Sequence, residues 1–208
     1  MSGSEAMAAR GLAHRTYRAL WRARVAGEPD ERLLAAVAGG DGQALTELYE
    51  RYAGPLFGFL VRLAGDRTVA EEILQDTLLA VWRSAATYRG HSSVRTWLFG
   101  VARRQAHNRL RTWRPPTADL DEAGDPPEPG PGPEEQALAA ADAAEVTAAL
   151  DRLPAHHREV LVLAFVADLP QAEIAAVLGV PVGTVKSRLH HAKAALAAIL
   201  RDRQEKRS

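Results

Sequence analysis

The chain has 208 residues, with 26 basic and 26 acidic side chains and no cysteine. That length gives room for one large or two small domains, each able to bury a core. The missing cysteines exclude a disulfide framework and a thiolate metal site, in keeping with a reducing compartment. Residues 1–28 carry Arg10, Arg15, Arg18, Arg22 and Arg24 without an apolar run of signal-peptide length, and read as a basic N-terminal extension. From residue 29 onward nearly every apolar pattern has a helical period. Leu33, Leu34, Val37, Leu45, Leu48 and Tyr49 predict a helix pair. Ile73, Leu74, Thr77, Leu78, Val81 and Trp82 predict a one-sided stripe on the next helix, and Trp97, Leu98, Val101 and Ala102 begin another. No stretch approaches the roughly 18 uninterrupted apolar residues of a membrane span, so a cytoplasmic protein without membrane insertion is expected.

Charge is distributed in opposed blocks. Between Asp76 and Asp119 there is no acid, yet Arg83, Arg89, Arg95, Arg103, Arg104, Arg109, Arg111 and Arg114 all fall there. Tyr88, Trp97, Phe99 and Trp113 are threaded among them. Bases meet phosphates, and flat rings give unpaired nucleobases something to stack on, so the block suits single-stranded nucleic acid. Trp82 and Trp97 read as core residues at helical spacing. Tyr88 stands apart, because in TYRGHSSVRTW it precedes Arg89 and Gly90 in a polar connection where a loop can receive a flipped base.

The stretch 115–135 holds seven of the twelve prolines and seven acids but no base. Such a composition cannot build a core and predicts a flexible or polyproline-like linker. It divides an all-helical unit at 29–114 from a second at 136–208, an all-α fold of two small domains. In the second unit EVLVLAFVA at 159–167 reads as a buried helix, since no partner strand is evident. LPQAEIAAVLGVPVGTVKSRLHHAK at 169–193 then has the spacing of a helix-turn-helix: Ala175 on a short first helix, Gly179 at the turn and Val185 on the second helix. Val185, Leu189, Ala192 and Leu196 make one stripe of that second helix. Thr184, Lys186, Ser187, Arg188, His190, His191 and Lys193 are the candidates for base edges and phosphates in a major groove. From Ile174 to Arg201 there is again no acid, as befits a helix prepared for a polyanion.

No enzyme signature accompanies these features. His156–His157 and His190–His191 are adjacent pairs whose side chains diverge on a helix, poor geometry for one metal ion, and there is no phosphate-binding glycine loop or HExxH. Neither a cofactor nor a metal is expected. A two-domain response regulator is the main rival, because REVLVLAF, EIAAVLGV and TVKSRL also resemble the DNA-binding half of that class. A regulator of that type needs an alternating strand-helix receiver, and none is visible before residue 115.

AEEILQDTLLAVW at 70–82, YRGHSSVRTWLFGVARRQAHNRLR at 88–111 and LPAHHREVLVLAFVADLPQAEIAAVLGVPVGTVKSRLHHAKAAL at 153–196 together resemble the extracytoplasmic-function group of sigma factors, the promoter-specificity subunits of bacterial RNA polymerase. The likeness runs from about residue 29 to 200, in the family's order. It implies that 29–114 is sigma domain 2 and 136–208 is sigma domain 4. By the same likeness Glu72, Gln75, Asp76 and Leu79 face core RNA polymerase. Tyr88, Arg89, His91, Ser92, Arg95, Thr96, Trp97, Arg103, Arg104 and His107 fall in the element that melts and reads the minus-10 sequence, and the recognition-helix residues named above fall on the minus-35 surface. It further implies promoter DNA and an anti-sigma factor as partners, and a monomer when uncomplexed. The chain departs from common family residues at Arg104, Asn108 and His191, so another member's promoter sequence is not carried over. Two promoter elements about two helical turns apart lie on the order of 70 Å from one another. A flexible chain of the linker's length reaches about 25 Å and a polyproline-like one about 65 Å. The prolines therefore either hold the linker extended or belong to a passive, solubilising tether.

Overall fold

The structure, a computed structural model, describes residues 28–112 and 146–205. The linker at 115–135 and residues 1–27 of the N-terminal extension lie outside the described residues. Among those described there is no strand, and the secondary structure is helical throughout.

In the N-terminal unit, α1 (Asp30–Ala38) and α2 (Gly42–Ala64) form the expected helix pair. Asp41 starts α2 by accepting hydrogen bonds from the backbone N–H of Gln43 at 2.8 Å and Ala44 at 3.2 Å, two donors that a helix's first turn otherwise leaves unpaired. Asp66 caps α3 (Arg67–Ser84) in the same way through Val69 N at 2.9 Å. A 3₁₀ turn (Ala85–Thr87) and a short loop lead to α4 (Val94–Thr112). The loop ends at Ser93, whose Oγ accepts from Thr96 N at 3.1 Å and so opens α4. Leu34, Val37, Leu48, Leu56, Phe59, Leu60, Ile73, Val81, Phe99 and Ala102 form the centre of this unit, with Phe59 and Phe99 meeting edge to face at 5.5 Å. The entry to α1 is pinned by a polar cluster: buried Arg51 donates to Asp30, Glu47 and the Glu28 carbonyl, while the Tyr52 hydroxyl donates to the other Asp30 oxygen. Burial, followed by the Asp30 contact, raises the Tyr52 pKa above its ordinary value, so the phenol stays a donor.

In the C-terminal unit residues 146–151 are helical, followed by α5 (Ala155–Phe165), α6 (Gln171–Leu178) and α7 (Val182–Glu205). The apolar run that could have passed for a strand is α5, with Val160, Leu161, Val162 and Leu163 all buried. Gly179 ends α6 with φ +67°, the left-handed angle that glycine takes without penalty, and its N–H bonds the Ala175 carbonyl. Val185, Leu189 and Ala192 turn inward from α7, as the stripe requires, with Leu196 half-buried beyond them.

The two units are in contact. Gly58 on α2 lies so close to the α5–α6 connection that a Cβ there would stand 3.4 Å from Val166 Cγ1, and α4 packs along α6.

Candidate nucleic-acid interface

The loop before α4 and the first four turns of α4 gather the strand-binding candidates. Tyr88 leaves the 3₁₀ turn half-buried, its hydroxyl donating to the Ser92 carbonyl at 2.5 Å and its ring meeting Trp97 edge to face at 5.9 Å. The loop between them is thus closed into a short arch, with Arg89 and His91 exposed at its crown. Gly90 allows that arch through φ +72°. Trp97 is half-buried and shares a cleft of about 280 Å³ with Ser92, Thr96, Gly100, Arg103 and Arg104 on one wall and the α6 end, Ala176 to Gly179, on the other.

Four of the ten strand-binding candidates already have partners on the C-terminal unit. Arg103 Nε donates to Glu159 Oε1 at 2.6 Å and its Nη2 to Oε2 at 3.4 Å, a two-pronged pairing, and His107 Nε2 reaches the same Oε1 at 3.0 Å. Arg95 donates to the Ala167 carbonyl, and the Thr96 hydroxyl to Glu173. Thr96 is consequently only 2 % exposed, whereas Arg89, His91 and Arg104 face solvent. Periodicity and motif reasoning did not single out Glu159 and Glu173. The available signal was Glu159 itself, one acid inside the apolar helix EVLVLAF, where a charge needs a partner.

On α7 the outward face carries Lys186, Ser187, His190, His191 and Lys193, all exposed, with Thr184 and Arg188 half-buried beside them. Ser187 Oγ donates to the Thr184 carbonyl at 3.0 Å, and Lys193 Nζ sits 5.2 Å from the centre of the exposed Phe165 ring. The paired histidines do not diverge as helix geometry suggested. The His156 and His157 rings meet at 4.3 Å and those of His190 and His191 at 5.4 Å, because edge-to-face contact between neighbouring rings is favourable. Among the described residues no group of three or more His, Asp or Glu is placed to hold a metal ion.

His157 sits behind this face with its Nδ1 buried and lacking a hydrogen-bond partner. Burial, then the charges of His156, His191 and Arg188, lower its pKa from the ordinary 6.5. The folded state therefore prefers the neutral ring. Its contribution to stability is complete above pH 6.5 and is lost as pH falls through the lowered folded value. The urea midpoint of the full chain is expected to drop between about pH 7.5 and about pH 5.5, and to drop less in His157→Gln. Parallel pH dependence in both proteins would remove His157 from the account.

On α3, Glu72, Gln75, Asp76 and Leu79 share one face, with Glu72 ion-paired to Arg109 of α4. Gln75 borders a cleft with Tyr49, Phe57 and Leu74, while Asp76 and Leu79 border another with Arg83 and Arg104. Leu79 is 54 % exposed and Trp82 39 %. Trp82 is thus not the core residue its spacing predicted. Val81 holds the buried position, and one residue further turns the side chain about 100° off the buried line, to the rim of the stripe.

The chain matches the sigma-70 region 2 family over residues 48–114 and the sigma-70 region 4 family over residues 143–196. The ECF RNA polymerase sigma factor SigL of Mycobacterium tuberculosis is 33% identical over 172 residues, 81% of this chain and 96% of its own length. The chain is an ECF sigma factor. The RNA polymerase sigma factor CnrH of Cupriavidus metallidurans is another relative, 31% identical over 188 residues that cover 86% of this sigma factor and 98% of CnrH. A solved structure of CnrH in complex with the cytosolic domain of CnrY aligns with a TM-score of 0.65 at 26% identity, covering 83% of this chain and 97% of that one. The sigma factor RpoE, solved with the anti-sigma factor NepR from Bartonella quintana, shares the fold at a TM-score of 0.55 and 23% identity, over 70% of this chain and 89% of that one. As a sigma factor the protein directs promoter-specific transcription initiation with RNA polymerase. The response-regulator reading is set aside: a receiver needs strands, and residues 28–112 contain none. Among the described residues no helix is long and apolar enough to cross a membrane.

Proposed function

We propose a division of labour within this sigma factor. The unit at 29–114 docks on core polymerase through Glu72, Gln75, Asp76 and Leu79 and captures the melted minus-10 strand with Tyr88, Arg89, His91, Ser92, Arg95, Thr96, Trp97, Arg103, Arg104 and His107. The unit at 136–208 reads the minus-35 duplex with Thr184, Lys186, Ser187, Arg188, His190, His191 and Lys193. The two work in the cytoplasm beside the enzyme, and the chain between them is the linker.

The observation that carries this reading is the outward face of α7: Lys186, Ser187, His190, His191 and Lys193 are exposed together, behind a turn set by Gly179 and over a buried Val185–Leu189–Ala192 seam. A helix held rigidly from behind can enter a major groove with its donors aimed at base edges. Tyr88 and Trp97 support the second half, since two rings beside cations suit unstacked bases. Binding energy performs the opening: each base-pair step opened costs roughly 1.4 kcal/mol, offset by stacking worth about 1–3 kcal/mol per captured base. Nucleotide transfer belongs to polymerase. An inhibitory protein of the anti-sigma kind, as found with RpoE, is proposed as a further partner.

The docking assignment is tested with fluorescently labelled chain titrated with core polymerase. Leu79→Asp places a charge on an exposed apolar residue, so it is expected to weaken core binding by tenfold or more, about 1.4 kcal/mol, while α-helical content stays unchanged. Core binding as tight as that of the parent would remove this face from the interface.

A further inference from the structure

We propose that Phe165, at the end of α5, is a positioning residue for minus-35 binding: its exposed ring holds the Lys193 ammonium at the flank of α7, aimed at a backbone phosphate of the duplex. The proposal rests on the assignment of α7 to the minus-35 element given above, and it extends that surface to a second helix.

Lys186, His190 and Lys193 stand at i, i+4 and i+7 on α7 and are all exposed, so they form one row opposite the buried Val185–Leu189–Ala192 seam. Seven residues of helix carry Lys193 about 10.5 Å beyond Lys186 along the axis. The N-terminal part of a recognition helix meets the base edges, and the major groove is about 12 Å wide. Lys186 therefore falls over the bases and Lys193 beside the phosphates.

At that place Lys193 needs an orientation that α7 does not give it. A lysine's four-carbon stem samples many rotamers, and freezing it on binding costs affinity. From Ile174 to Arg201 the chain has no acid to hold the ammonium. The partner comes from α5, which packs on α7. Phe165 is the last residue of α5 and 54 % exposed, and Lys193 Nζ lies 5.2 Å from its ring centre, inside the roughly 6 Å range of a cation–π contact. Such a contact orders the charge without neutralising it. An ammonium carries three donors, so one side rests on the ring while another meets a phosphate oxygen. Arg67 shows the other arrangement: it lies 5.1 Å from the Phe57 ring centre but is also ion-paired with Glu71 at 3.3 Å, which offsets its charge. A carboxylate at residue 165 would offset Lys193 in the same way and repel the duplex, and a neutral ring does neither.

A double-mutant cycle tests the role in holoenzyme assembled from core polymerase and the full chain. Closed-complex affinity is read by fluorescence anisotropy over a range of salt, on a fluorescein-labelled duplex carrying a promoter mapped by run-off transcription. Lys193→Ala is expected to weaken binding and lower the salt slope by about one. Phe165→Ala and Phe165→Leu are each expected to weaken binding about three- to tenfold with the slope unchanged, because the lysine is still present. Phe165→Tyr keeps the ring and should bind like the parent. In the Lys193→Ala background, Phe165→Ala and Phe165→Leu should have no further effect. Circular dichroism identifies either variant if it has lost its helices, and the other then decides. A loss that persists in the Lys193→Ala background overturns the positioning role, since the ring would then act on DNA or polymerase directly. A leucine variant as good as the parent overturns it too, since apolar area would suffice. If Lys193→Ala weakens binding and Phe165→Ala does not, the ring alone is discarded and the minus-35 assignment stands. If Lys193→Ala leaves affinity and slope unchanged, Lys193 leaves the minus-35 surface and the ring has nothing to position.

Discussion

Replacing Tyr88 by alanine is expected to reduce open-promoter formation by about 5- to 150-fold, the equivalent of roughly 1–3 kcal/mol of base stacking. Initial binding to closed duplex should change far less, since the ring has nothing to stack on until a base leaves the helix. Tyr88→Phe separates the ring from its hydroxyl. It keeps the edge-to-face contact with Trp97 and loses only the hydrogen bond to the Ser92 carbonyl, so it should retain most of the opening. Permanganate footprinting on a duplex and on a pre-melted bubble distinguishes the steps. The bubble needs no melting work and should recover most of the Tyr88→Ala signal. No recovery there, or a phenylalanine variant as impaired as the alanine one, would end the case for a stacking ring at this position.

Lys186→Ala is expected to cost about 1–3 kcal/mol in binding to the upstream element if the lysine reads a base. Lys186 is exposed on the outward face of α7, one residue beyond buried Val185, so its removal should leave the unit folded. The decisive readout is how the loss varies with promoter sequence. A base reader loses affinity chiefly on promoters that carry its preferred base, whereas a phosphate contact loses the same amount on all of them and lowers the salt slope by about one. Uniform loss across promoters would reassign Lys186 to positioning the helix.

The parts of this fold that follow from local rules could be read in the sequence. Gly179 at the turn, the Val185–Leu189–Ala192 seam and the helix pair led by Leu33, Leu34 and Val37 all express helix period and backbone freedom, which depend on neighbours a few residues away. Rim positions were harder. Trp82 obeys the same period as Val81 yet lies 39 % exposed, because periodicity gives direction and not how far a neighbouring helix extends over it. The contact between units could not be read in that way at all. Arg103 and Glu159 are 56 residues apart, Thr96 and Glu173 77, and no spacing rule links them. The acid-free block implied a partner for its cations, and a polyanion was the natural inference. That the same chain supplies carboxylates to part of it emerges only from tertiary packing.

The central claim is that this chain confers promoter choice on a polymerase that lacks it. Run-off transcription with purified core enzyme on a fragmented genomic library, with start sites mapped by sequencing, tests it directly. Addition of the chain is expected to produce discrete start sites that share an upstream and a downstream element about two helical turns apart, and these starts should disappear with Lys186→Ala combined with Tyr88→Ala. Start sites that are unchanged by the chain, or that share no common pair of elements, would contradict the account.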